Sequence, residues 1–169
     1  MTALLTLGRI PNPFVGFNEL KVQWIGEKQW TYKVTLPELE RLPKGAVAVL
    51  AFDGLDTFAT VKVNGEQILE SDNMFIEHRV DVTKQLKHDA ENVLEIDFDS
   101  ALLRAREIQK QHPDHVWVNF NGEAARMAVR KNQVSFTHQH DLNIAINSFK
   151  SHWGWDWGPV LMTAGFVLL

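Results

Sequence analysis

Between Thr57–Val63 (TFATVKV) and Gln67–Leu69 stands the dipeptide Asn64-Gly65. Few local patterns restrict a fold so tightly. Asn and Gly tolerate the positive φ angles that a two-residue hairpin turn requires, so the flanking β-branched runs must pair antiparallel. The same signal recurs in weaker form along the first 98 residues. Gln29–Leu36 (QWTYKVTL) places Trp30, Tyr32, Val34 and Leu36 on one parity, the pattern of a half-buried strand. Ala46–Phe52 (AVAVLAF) is a short apolar run that reads as a buried central strand, and Asp53-Gly54 ends it. Phe75–Val82 and Asn92–Phe98 alternate again. Five or six short strands at intervals of roughly 10–17 residues have the rhythm of an antiparallel β-sandwich.

The rest of the chain is less regular. The segment up to Gly26 reads as irregular, punctuated by Pro11, Pro13 and Gly16. One helix is expected over Ser100–Gln111, with Ser100 as its N-cap and His112-Pro113 as its stop. The length, 169 residues, suits one domain and falls short of a (β/α)₈ barrel, which needs roughly 200 residues or more. A net charge of −4 offers no basic surface for nucleic acid or for an anionic membrane. No run of apolar residues is long enough for a membrane-spanning helix, and the first ten residues lack the basic start of a signal peptide. With no cysteine there is no disulfide, thiolate metal site or cysteine nucleophile. These features fit a reducing compartment, and the cytoplasm is the expected setting.

Tryptophan is the compositional oddity. There are six, and three of them alternate with small or acidic residues in Ser151-His-Trp-Gly-Trp-Asp-Trp-Gly-Pro159. If the segment is extended, Trp153, Trp155 and Trp157 share one side, with Gly154, Asp156 and Gly158 on the other. Such a surface suits a sugar, because pyranose C–H faces pack on indole rings and a carboxylate accepts from hydroxyls. An aromatic core cluster, with Asp156 in a turn or cap, would produce the same pattern.

Other constellations carry less. Asp53, Asp56, Glu66, Glu70, Asp72, Glu77, Asp97 and Asp99 are plentiful carboxylates, but no spacing singles out an acid and nucleophile pair. They read as solvated strand and turn residues. His138 and His140 could share a strand face, yet no companion His or Cys completes a zinc set. Arg126, Arg130 and Lys131 form a small basic cluster without a glycine-rich loop entering a helix. No metal or cofactor site is expected.

Several segments together resemble one family. Leu7 to Glu27 (LGRIPNPFVGFNELKVQWIGE) looks like the entry of β-mannosidases of glycoside hydrolase family two. Phe52–Gly65, Ser71–Ile76, His78–Val82 and Val129–Lys131 are similar to the same domain, as is the Trp-Gly-Trp-Asp-Trp-Gly-Pro run with Leu161–Gly165. The tryptophan run is the specific part. Asp-Gly-Leu-Asp and Val-Asn-Gly are shared more widely in family two.

The resemblance implies an all-β, antiparallel, jelly-roll-type sandwich of galactose-binding-like fold with one short helix. Residues 1–169 would be a single N-terminal domain, incomplete at both ends, whose first strand should precede Leu4. The family removes terminal non-reducing β-D-mannose from β-mannoside oligosaccharides by a retaining mechanism. Its two catalytic glutamates lie in a (β/α)₈ domain that follows the sandwich, so no catalytic residue is expected here and the chain alone should be inactive. Carried over residue by residue, Trp155, Asp156 and Trp157 would form part of the mannose subsite. The implied partners are the oligosaccharide and the barrel. Residues 134–150 depart from the family as an insert. Val134-Ser135 can be encoded as a splice donor and Lys150 can end on an acceptor, as in a retained intron, which transcript sequencing decides. The alternatives are a non-catalytic carbohydrate-binding module and a structural sandwich that docks another protein.

Overall fold

The computed structural model describes residues 1–37, 42–111, 113, 161 and 163–166. Trp153, Trp155, Asp156, Trp157, the basic cluster, His138, His140 and the insert 134–150 lie outside the described residues. The chain divides into two compact units, residues 1–28 with 100–163 and residues 29–99 with 164–169.

The described residues of the first unit that form regular structure do so as helices and helical turns. α1 (Thr2–Thr6) ends where Gly8 adopts a φ of 64°. There Gly8 N–H donates to the Leu5 carbonyl and Arg9 N–H to the Leu4 carbonyl, satisfying carbonyls that the short helix leaves open. Asn12 organises the following loop, since its Oδ1 accepts from Phe14 N–H at 3.0 Å. α2 (Asn18–Lys21) and a 3₁₀ turn (Gln23–Glu27) follow. This stretch was expected to be irregular. Instead, Leu4, Leu5 and Ala3 favour helix, and prolines and glycines confine it to single turns. The expected helix is present as α3 (Ala101–Gln111). Ser100 caps it as expected: its Oγ accepts from Leu103 N–H at 3.0 Å. The Ser100 hydroxyl also donates to the Gly26 carbonyl, and Arg106 pairs with Glu27 at 2.8 Å, so α3 is fixed to the 3₁₀ turn at two points.

The regular structure described in the second unit is β. β1 (Trp30–Leu36), β7 (Asn92–Phe98), β4 (Ala59–Val63) and β5 (Glu66–Ser71) form an antiparallel sheet in the order β1-β7-β4-β5. β2 (Val49–Phe52) pairs with β6 (His78–Asp81), and β3 (Leu55–Asp56) with β8 (Gly165–Phe166). Every pairing is antiparallel. The Asn64-Gly65 turn is as predicted: φ is 54° at Asn64 and 85° at Gly65, the two positive values of a type I′ hairpin.

Register puts the apolar residues on one sheet face. Val61 stands opposite Ile96, and Ala59 opposite Phe98. These residues and Leu55 form one buried cluster, against which Phe52 and Ala164 pack. A second cluster joins Val63, Val82 and Leu86, with Leu50, Val80 and Ile68 against it. The β2–β6 ribbon and the β3–β8 pair thus supply the side chains that cover the inner face of the sheet. The opposite face carries Thr31, Lys33, Lys62, Glu95 and Asp97 by the alternation of the pleat.

Three strand expectations change. β2 is not a buried strand: among the described residues it pairs with β6 alone, and Val49 on its outward parity remains 50% exposed. β6 is shorter than Phe75–Val82, because Asn73 folds the chain into a turn. Its Oδ1 accepts from Phe75 N–H at 2.9 Å, leaving Phe75 and Ile76 exposed. β1 has the predicted span, but Tyr32 and Val34 are more exposed than its alternation suggests.

Candidate functional site

The three residues expected to meet sugar, Trp155, Asp156 and Trp157, lie outside the described residues. What is described is the chain that follows them. Ala164 is held by the Tyr32 hydroxyl, which donates to its carbonyl at 2.9 Å. The Tyr32 ring stands edge-on to Phe98, with centroids 5.7 Å apart, so the phenol is oriented by the core beneath it. Gly165 and Phe166 then pair with Asp56 and Leu55. Among the described residues, the Tyr32 hydrogen bond and the short β3–β8 ladder hold the chain that follows the tryptophan run.

β3 and the residue after it are buried although two of the three are polar. Leu55 has no exposed surface, Thr57 has 2% and Asp56 has 7%. The Asp56 carboxylate accepts from the Thr57 hydroxyl. The expectation of solvated carboxylates is thus corrected for Asp56: a buried carboxylate needs donors, and Thr57 supplies one. Alternation alone could not reveal this, because β3 is two residues long.

Asp97 and Glu95 are also not free acids. Lys62 Nζ lies 2.7 Å from Asp97 and 3.8 Å from Glu95, while Lys33 reaches Glu95 at 3.4 Å. The Thr31 hydroxyl donates to Asp97 at 2.5 Å. The Lys62 and Thr31 bonds hold the Asp97 carboxyl below the usual carboxylate range. The same bond and the Asp97 charge raise Lys62. Both partners are thereby kept ionised. That arrangement suits a cross-strand tie and opposes general acid catalysis, which requires a raised carboxyl pKa.

Ser71 and His78 meet across the β5–β6 connection at 3.2 Å, and the Ser71 hydroxyl lies 3.4 Å from the Asn73 carbonyl as its donor. This contact belongs to the turn. Among the described residues no group of three His, Asp, Glu or Cys side chains is placed to hold a metal ion. No described helix is long and apolar enough to cross a membrane.

Sequence reasoning missed a side-chain network behind the hairpin. Asn64 Nδ2 donates to the Gln85 carbonyl at 2.7 Å and to Asn92 Oδ1 at 2.8 Å. Asn64 Oδ1 accepts from Val93 N–H at 3.0 Å. Asn92, 1% exposed, accepts from Lys87 N–H at 2.7 Å and donates to the Lys87 carbonyl at 2.9 Å. The local pattern accounts for Asn64 only as a turn former. Its second role depends on partners about 20–30 residues away, and no local pattern encodes them.

Known proteins bear out the resemblance. A β-mannosidase B from Emericella nidulans is 55% identical over 158 residues, which is 94% of this chain and 17% of that protein. A β-mannosidase B from Aspergillus terreus is 53% identical over 96% of this chain and 17% of its own length. Among solved structures, the β-D-mannosidase of Dictyoglomus thermophilum superposes with a TM-score of 0.68 at 30% identity, covering 96% of this chain and 18% of that one. This chain spans about a sixth of the curated relatives it matches. Residues 1–167 match the glycosyl hydrolase 2 galactose-binding domain-like family. Antiparallel sheets, the type I′ hairpin and a match over nearly every residue lead to one assignment: the chain belongs to the glycosyl hydrolase 2 galactose-binding domain-like family.

Proposed function

We propose that this chain is the sugar-facing N-terminal sandwich of a β-mannosidase, an enzyme that releases terminal non-reducing β-D-mannose with retention of configuration. The observation that carries this reading is the 55% identity, over 94% of the chain, to a protein named β-mannosidase B. The sandwich lends one wall of the mannose subsite. Trp155 and Trp157 present indole faces to the pyranose C–H groups, and Asp156 accepts from the mannose hydroxyls. The catalytic acid/base and nucleophile come from a (β/α)₈ domain that partners the sandwich. A β-mannoside oligosaccharide lies between them. The cysteine-free composition supports a reducing compartment, the cytoplasm, as its setting.

The test is kinetic. The complete product of the gene, with Asp156 intact or changed to Ala, is assayed on an aryl β-D-mannoside. Loss of a charge-assisted hydrogen bond to the sugar predicts a fall in kcat/KM of about 10–100-fold with the melting temperature unchanged. Equal kcat/KM for the two proteins would remove Asp156 from the subsite. A wild-type enzyme that ignores mannosides and cleaves another glycoside would overturn the mannosidase reading itself.

A further inference from the structure

Asn-Gly is a dipeptide prone to deamidation. The unhindered glycine nitrogen can attack the asparagine side-chain carbon. In the hairpin, Asn64-Gly65 is such a pair, and it sits beneath an unusually complete set of hydrogen bonds. The carboxamide nitrogen, which would be the leaving group, donates to the Gln85 carbonyl and to Asn92 Oδ1 at 2.7 and 2.8 Å. The carboxamide oxygen is held by Val93 N–H at 3.0 Å, and the Asn64 backbone N–H by the Val93 carbonyl at 2.8 Å. Both polar atoms of the carboxamide, whose carbon must meet the Gly65 nitrogen, are therefore committed elsewhere. Asn92 is itself fixed by Lys87 and Ala90, so it cannot follow a rotating partner.

We propose that Asn64-Gly65 is a covalent modification site, a deamidation site held closed by the Asn92 network. When the loop of residues 85–92 opens, the Gly65 nitrogen bonds to Asn64 Cγ and loses its proton. The Cγ–Nδ2 bond breaks, and ammonia leaves. A succinimide remains. Water then adds to either ring carbonyl and gives aspartate or isoaspartate, so atoms and charge balance with water as the only co-reactant. The product cannot close again as before. A carboxylate has no N–H for the Gln85 carbonyl and Asn92 Oδ1, and isoaspartate adds a methylene to the backbone of a two-residue turn. One local opening is thus converted into a permanent loosening of the β4–β5 hairpin.

The experiment is peptide mapping by mass spectrometry of the full chain at mildly alkaline pH, in buffer and in concentrated urea. Asn121-Gly122 is the sequence-matched reference for the reaction in urea. In buffer, Asn64 is expected to convert at least about tenfold more slowly than in urea, and Asn92→Ala to erase most of that difference. Equal rates for Asn64 in buffer and in urea, with tryptophan fluorescence showing the chain folded in buffer, would overturn the proposal. A second variant does not depend on Asn92→Ala folding. Asn64→Asp, which mimics one product, is expected to lower the melting temperature. An unchanged melt would show that the acceptors facing Nδ2 do not need it.

Discussion

β7 and β1 lie side by side in full register and carry the same alternation, yet they meet different surroundings. On β7, Ile96 is 1% exposed and Phe98 has no exposed surface. Directly across, Tyr32 is 41% exposed, and Val34 on the same parity is 52% exposed. β7 has β1 on one side and β4 on the other, with Leu55 and Val61 packed against it. β1 has a single partner among the described residues. Period-2 patterning therefore reports which way a side chain points. It does not report whether anything lies over it, because coverage depends on strand order and on the second layer.

The contrast can be broken by mutation. Ile96→Ala should cost about 2–5 kcal/mol, because it removes buried methylenes and leaves a cavity among Leu55, Val61 and Phe98. Its counterpart Val34→Thr should stay within about 0.5 kcal/mol, since a half-exposed site loses little on gaining a hydroxyl. Urea unfolding of both variants checks the pair, and equal losses would mean that β1 is as well covered as β7. Tyr32→Phe sharpens the comparison. It keeps the edge-on ring contact with Phe98 and deletes the hydroxyl that bonds to Ala164, so a loss of about 0.5–1.5 kcal/mol is expected. No change in the unfolding midpoint would show that the ring, rather than the hydroxyl, holds β1 to the core.

The smallest effect is electrostatic and belongs to the other face of the same strands. The Lys62 and Thr31 bonds depress the Asp97 pKa. The stability this adds is present above the ordinary carboxylate range and is lost as pH falls through the depressed folded value. Thermal melts between neutral pH and about pH 3 should therefore show an acid-side decline that Asp97→Asn reduces. A steeper decline in the variant would reverse the sign and remove the tie. The effect is small because both side chains remain about a third exposed and water screens them.

Much of the architecture could be read from short windows. The Asn64-Gly65 turn, the spans of β1 and β7 and the Ser100 cap all depend on residues within a few positions of one another, where sequence and geometry are tightly coupled. Long-range features escaped. The buried state of Asp56 depends on β8, more than 100 residues later, and the second role of Asn64 depends on Gln85, Asn92 and Val93. The β2 run looked buried because apolar composition alone does not report what covers a strand. Asn73 overrode the alternation of Phe75–Val82 because a side-chain bond to its own backbone competes directly with a strand. For the candidate site, the motif named Trp155, Asp156 and Trp157 through family resemblance. Their residue types suggest sugar but do not distinguish a platform from a core.

The two-residue pairing of β3 with β8 has a consequence in time. Leu55 and Asp56 leave the ribosome long before Gly165 and Phe166. At about 5–20 residues per second, the gap between Asp99 and Ala164 takes roughly 3–13 s to synthesise. Throughout that interval β1, β4, β5 and β7 can already pair, while the β3 edge has no strand beside it and Tyr32 lacks its carbonyl. The nascent sheet is thus a waiting surface that β8 closes.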